Sequence, residues 1–190
     1  MALTTDFLNA ASMAAARFPG PHMYPWPIEG NPAGFLSFAS FQQWREFILR
    51  LGVRESLPGI VRAKFDAAQK LYLLGWLDGD VLKAGEFAAL SCLELSLKDC
   101  YGDKVRRKNG HISFGDLLRY MPEHDGLSNE MLPVCRRSGG DLVSDLKSKN
   151  PSASFLRNRH AHADPFNTAP YSGVLEVVRD LIEFAYRNWP

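Results

Sequence analysis

The chain has 190 residues, of which 46% are hydrophobic and 23% charged. That is the size and makeup of one globular domain able to bury a core without metal or disulfide staples. A formal net charge of +1 excludes bulk electrostatics as an argument for a polyanionic partner, so any such case must rest on local clusters.

The three cysteines, Cys92, Cys100 and Cys135, are odd in number and lack C-x-x-C spacing. This argues against a disulfide framework or zinc ribbon and reads as small buried hydrophobes in a reducing cytosol. The first twenty residues include Asp6 and Asn9 and show no basic segment ahead of an apolar run, so no secretory signal is expected. No apolar run approaches the roughly 18 residues that a membrane span requires. The expectation is a cytoplasmic protein with no membrane partner.

Residues 1–40 read as a Pro-rich arm and residues 41–190 as a helical domain. Five of the twelve prolines fall between Pro19 and Pro32, and proline forbids both helix interior and central strand there. The same stretch carries Phe18, Met23, Tyr24, Trp26 and Ile28. Those side chains are too large and apolar for a free linker, so the arm is expected to lie packed across the body.

From Phe38 the pattern becomes helical. Ser40 is placed to cap a helix through Phe41, Trp44, Phe47, Ile48 and Leu51 that ends at Gly52. Pro58 suits the first turn of a second helix, in which Ile60, Ala63, Ala67, Leu71 and Leu74 recur at spacings of three and four. A third helix is predicted from Val81 to Tyr101, closed by Gly102. It is apolar on two sides, the mark of a central, buried helix.

The basic run Lys104–Lys108 leads to an Asn109-Gly110 turn signal and reads as a solvated loop. Ser113 and Asp116 resemble a capping pair for a short helix stopped by Pro122. Glu123 to Gly140 is loop-rich with a helical turn near Met131, and a short helix is expected over Asp141–Lys147. Another helix begins near Pro151 to Ser154 and must end before Pro165. The last runs from Tyr171 to Trp189, with Val174, Val178, Leu181 and Ala185 at core spacing and Glu176, Asp180, Glu183 and Arg187 polar between them. No alternating strand, repeat or low-complexity tract is legible. The expected fold is an all-α bundle of four to five main helices plus short helices.

The densest polar cluster is Ser154-Phe-Leu-Arg-Asn-Arg-His-Ala-His-Ala-Asp164. It brings Arg157, Arg159, His160 and His162 within six residues. On a helix, Asn158 and His162 are four apart and share a face. Arg157 and His162 stand about 140° apart around an ideal helix. They meet one substrate if it wraps the helix, if the helix distorts, or if a second copy of the chain completes the site. His160-Ala-His162-Ala-Asp164 also spells H-x-H-x-D, the opening of a zinc hydrolase motif. The next residue, however, is Pro165 rather than His, and the helical pattern does not suit that fold. No P-loop, G-x-S-x-G elbow or C-x-x-C site is present. No metal and no cofactor is expected. His111 and His124 lie in loop-like contexts and read as surface residues.

Arg157-Asn158-x-x-x-His162 resembles the Arg-polar-x3-His signature of the HEPN domain family. Phe87 to Lys98, with Glu94 and Lys98 in an E-x-x-x-K arrangement, looks like that family's core helix, although such a pair also serves simply as an i, i+4 ion pair. The order of later helices fits as well, and the resemblance spans about residues 58–189, leaving the arm outside it.

The resemblance implies a HEPN-like bundle that pairs as a homodimer. It also implies metal-independent endoribonuclease activity on RNA, of the kind found in toxin–antitoxin and phage-defence systems, with an antitoxin or other protein as a possible partner. In these roles Arg157, Asn158 and His162 are catalytic, and Arg159, His160, Glu94 and Lys98 contact substrate. Histidine titrates near neutrality and can move the proton of a 2′-hydroxyl. Arginine stays charged and presents a fork that fits phosphate. The family also contains non-catalytic dimerisation and nucleotide- or RNA-binding modules, which is the alternative reading.

Overall fold

The chain is organised around one long helix, as the two-sided apolar pattern after Val81 requires. A computed structural model describes residues 3–105, 110, 112–161 and 171–189. In chain order the elements are helix α1 (Thr5–Ala15), strands β1 (His22–Pro25) and β2 (Phe35–Phe38), and helices α2 (Phe41–Arg50), α3 (Gly59–Leu74) and α4 (Gly79–Val105). Helix α5 (Phe114–His124), a 3-10 turn (Asn129–Met131) and helices α6 (Pro133–Ser138), α7 (Leu142–Lys147), α8 (Ser152–Ala161) and α9 (Val174–Ala185) follow. Among the described residues the fold is all-α apart from one antiparallel hairpin. Among the described residues no helix is long and apolar enough to cross a membrane.

Helix α4 packs against α3, α5, α8 and α9. Leu82, Ala89, Leu90, Cys92, Leu93, Leu97 and Tyr101 are buried around its circumference. Each large apolar side chain so buried contributes about 1.5–3 kcal/mol, which is why this helix forms despite Gly85 and Gly102 inside it. Gly102 does not end it, and the helix continues to Val105. Lys104 Nζ lies 5.6 Å from the Tyr101 ring centroid and 5.7 Å from that of Tyr120, holding the extra turn. Likewise α5 runs through Pro122 to His124. So near the end of the helix, the missing N–H forfeits a single intrahelical bond. The cap is as expected, with Ser113 Oγ accepting from the Asp116 N–H at 3.1 Å. Ser40 caps α2 through the Gln43 N–H in the same way.

Residues 1–40 hold more regular structure than their prolines suggest. Thr4 accepts from the Phe7 N–H and caps α1, an alanine-rich segment of high helix propensity. A hairpin, not expected from the sequence, pairs His22 with Phe38, Met23 with Ser37, Tyr24 with Leu36 and Pro25 with Phe35. Tyr24 and Phe38 point inward while Met23 and Phe35 are exposed, the period-two alternation of a half-buried sheet. Pro25 is tolerated because a two-stranded ribbon has only edges.

The aromatic side chains join this segment to the body. Trp26 is buried and stands edge-on to Phe47 at 4.9 Å and to Trp44 at 6.1 Å. Each of the buried indoles has a partner for its N–H. Trp26 donates to Glu176 Oε2 at 2.7 Å, Trp44 to the Tyr72 carbonyl at 2.9 Å and Trp76 to the Phe18 carbonyl at 2.8 Å.

Glu176 and Asp180, expected on the polar side of the last helix, are buried at 2% and 4% exposure. Glu176 also accepts two bonds from Arg137, at 2.7 and 2.8 Å, and Asp180 accepts from the Val134 N–H at 2.8 Å. Burial is tolerable because each carboxylate is paired. Gly173, just ahead of α9, has φ +62° and lies against the Pro27 ring where a Cβ would stand, so both conformation and space require glycine.

Candidate functional site

Helix α8 crosses α4 and the start of α5, and this crossing brings together residues 63 positions apart. Arg157 donates through Nε to Glu94 Oε2 at 2.7 Å, and its Nη2 is paired with the same oxygen. Its Nη1 donates to Asn158 Oδ1 at 2.8 Å. Lys98 Nζ reaches the other oxygen, Glu94 Oε1, at 2.8 Å. The E-x-x-x-K pair and the Arg-Asn pair therefore form one cluster.

The Glu94 side chain is only 12% exposed. Burial would raise the pKa of its carboxyl, but the hydrogen bonds and charges of Arg157 and Lys98 outweigh burial and hold it below its ordinary value. Arg157 is oriented from a second side by the Phe114 ring, 5.9 Å from the guanidinium to the centroid.

The cluster forms one wall of a groove of about 450 Å³, within the 300–1,000 Å³ that small-ligand clefts occupy. Phe114 and Gly115 at the start of α5 contribute to its lining, as do Arg119, Lys149 and, from α8, Phe155 and Asn158. Arg119 donates to the Lys149 carbonyl at 3.1 Å and pairs with Asp116, so it ties the 149–151 turn to α5. Lys149 and Asn150 are exposed, and Lys149 makes no ion pair among the described residues. Phe155 is 54% exposed, with the Arg159 guanidinium 5.6 Å from its ring centroid.

Of the residues singled out in the sequence, Glu94, Lys98, Arg157 and Asn158 meet, and Arg159, next after Asn158, lies against Phe155 one turn back along α8. His162 lies outside the described residues, as does the side chain of His160. His111 is outside them too, while His124 is exposed at the end of α5 with its ring 5.1 Å from that of Tyr120.

Phe114, Arg119, Lys149 and Phe155 were not singled out, since nothing local marks them as sharing a groove. One signal was readable: Phe155 and Arg159 are four apart, the spacing of an aromatic–cation pair on one helix face. Among the described residues no group of three or more His, Cys, Asp or Glu is placed to hold a metal ion.

Comparison of the chain with protein-family models, with curated proteins and with solved structures returned no match.

Proposed function

We propose that the chain is a metal-independent endoribonuclease of HEPN type, acting in toxin–antitoxin or phage defence, with Arg157, Asn158 and His162 as its catalytic residues. The observation that supports this best is the fixed guanidinium of Arg157. Glu94 and the Phe114 ring hold it at the wall of a basic groove, with Nη1 turned towards Asn158. A pre-oriented arginine stabilises charge that develops on a phosphate without reorganising at the moment of reaction.

In the reaction the 2′-hydroxyl oxygen attacks the adjacent phosphorus, and His162 takes the hydroxyl proton. Arg157 balances the charge of the phosphorane. The P–O5′ bond breaks and the departing oxygen takes up the proton that His162 accepted, leaving a 2′,3′-cyclic phosphate, a 5′-hydroxyl and neutral His162. Asn158 orients Arg157, and Arg159 and His160 contact flanking phosphates. Two copies of the chain pair so that residues 154–162 of both line a shared groove, which doubles the local positive charge.

The test is cleavage of RNA by the purified protein with and without chelator. Full activity in EDTA, cyclic-phosphate ends, and loss of activity in His162→Ala and Arg157→Ala are expected, whereas His160→Ala retains measurable activity. Activity abolished by EDTA and restored by zinc or magnesium overturns the mechanism, and a monomer at micromolar concentration in light scattering overturns the shared groove.

One observation favours the second reading, a non-catalytic RNA- or nucleotide-binding module. Two of the three guanidinium nitrogens of Arg157 already serve Glu94. Tight RNA binding without any cleavage decides for it.

A further inference from the structure

We infer that Phe155 is a base-stacking platform, so that the groove takes single-stranded RNA and reads it one nucleobase at a time across this ring. The inference rests on the RNA reading above but not on cleavage. Phe155 stands on a helix otherwise rich in polar residues and shows 54% of its surface, although an apolar side chain of that size loses free energy by staying in water. It borders the groove rather than the core.

The surroundings specify the occupant. Arg157, Arg119 and Lys149 border the same groove, and Lys98 and Arg159 flank it; among the described residues Glu94 offsets part of the charge of Arg157 and Lys98, and Asp116 that of Arg119, which leaves cations in excess. A groove in which basic groups outnumber acidic ones and an exposed aromatic sits on the rim matches a ligand with alternating phosphates and flat rings. Single-stranded nucleic acid has that chemistry, because every unpaired base offers a face for stacking. A duplex keeps its bases stacked on each other and leaves no base face free for the ring. Arg159 over Phe155 extends the platform, since a guanidinium plane also stacks on bases.

Binding is measured by fluorescence anisotropy on the full chain. The probes are a short 2′-O-methyl oligouridine, which cannot be cleaved through its 2′-oxygen, an abasic ribose-phosphate oligomer of equal length, and a duplex of the same length. Phe155→Ala should weaken oligouridine binding by about 5- to 150-fold, the range for losing one base–aromatic stack. It should leave the abasic oligomer and the duplex bound as before.

Phe155→Trp should bind oligouridine as the parent does, and its added indole fluorescence should be quenched by oligouridine but not by the abasic oligomer. Three of the four native tryptophans are buried, so the parent protein supplies the background to subtract. Equal weakening for the abasic and base-bearing probes overturns the inference, because Phe155 then acts through the fold. Unchanged oligouridine binding in Phe155→Ala overturns it as well, while leaving the nuclease reading intact. Stacking with no cleavage of unmodified RNA supports the inference and removes the nuclease, and a parent protein that binds none of the probes overturns both.

Discussion

Replacing Glu86 by glutamine should stabilise the protein above neutral pH and do little in acid. Glu86 sits in α4 at 1% exposure and accepts a hydrogen bond from the Tyr171 N–H at 2.5 Å. Burial pushes its carboxyl up to about 8, opposed by that hydrogen bond and by the nearby Lys83 charge. A carboxyl whose pKa is higher in the folded state contributes full stability below its unfolded value of 4.5 and loses it as pH rises to about 8. At about 1.36 kcal/mol per pH unit, the loss reaches about 3 kcal/mol by pH 7 and about 5 kcal/mol above pH 8.

Glutamine keeps the oxygen that accepts from Tyr171 and carries no charge to desolvate. Glu86→Gln should therefore match the parent near pH 4.5 and exceed it by about 3 kcal/mol at pH 7, a rise of roughly 6–12 °C in melting temperature for a chain of this size. Denaturant melts at several pH values read this directly. A difference that does not change between pH 4.5 and 8, or a variant less stable throughout, refutes the reasoning. The neutral carboxyl would then not be the form that folds.

Glu94 should show the opposite pH dependence. Its folded pKa is lowered, so its contribution is present above the unfolded value and disappears as pH falls through the folded one. The stability gap between parent and Glu94→Gln should close in acid in the same melts, and a gap that widens there rules out the ion-pair account. Glu176→Ala removes the acceptor of both Trp26 and Arg137. Breaking a buried pair costs about 3–5 kcal/mol, and because the Arg137 side chain is 42% exposed the expected cost is about 2–4 kcal/mol. A loss under about 1 kcal/mol in urea unfolding shows that Glu176 does not secure the N-terminal segment.

The helices were legible where one signal decided their fate. Ser40 and Ser113 announced their caps, and the two-sided apolar pattern of α4 announced its central place. Gly102 and Pro122 do not end their helices as residue type alone suggests, since tertiary contacts outweigh a local penalty of about 1 kcal/mol for an interior glycine. The hairpin is not legible because its strands are only four residues long and β1 lies among prolines, ending on Pro25 itself. Helix α1 is hidden because the prolines after it dominate the composition of residues 1–40.

At the candidate site, Arg157, Asn158, Glu94 and Lys98 were recognised as motif residues. The Arg157–Glu94 bond itself was not readable, because it depends on how α8 crosses α4. Glu176 and Asp180 looked like surface residues for the same reason: their partners Arg137, Trp26 and Val134 lie far off in sequence.

The bond from Trp26 to Glu176 joins residues 150 positions apart. On a ribosome adding about 5–20 residues each second, the acceptor follows the donor by roughly 8–30 s. Until α9 is made, the hairpin and its aromatic side chains lack the carboxylate that completes their seat. The emerging chain therefore carries an unfinished apolar surface until α9 is made. A stop codon anywhere before Glu176 would leave that surface permanently open, a species that chaperones and proteases should recognise at once.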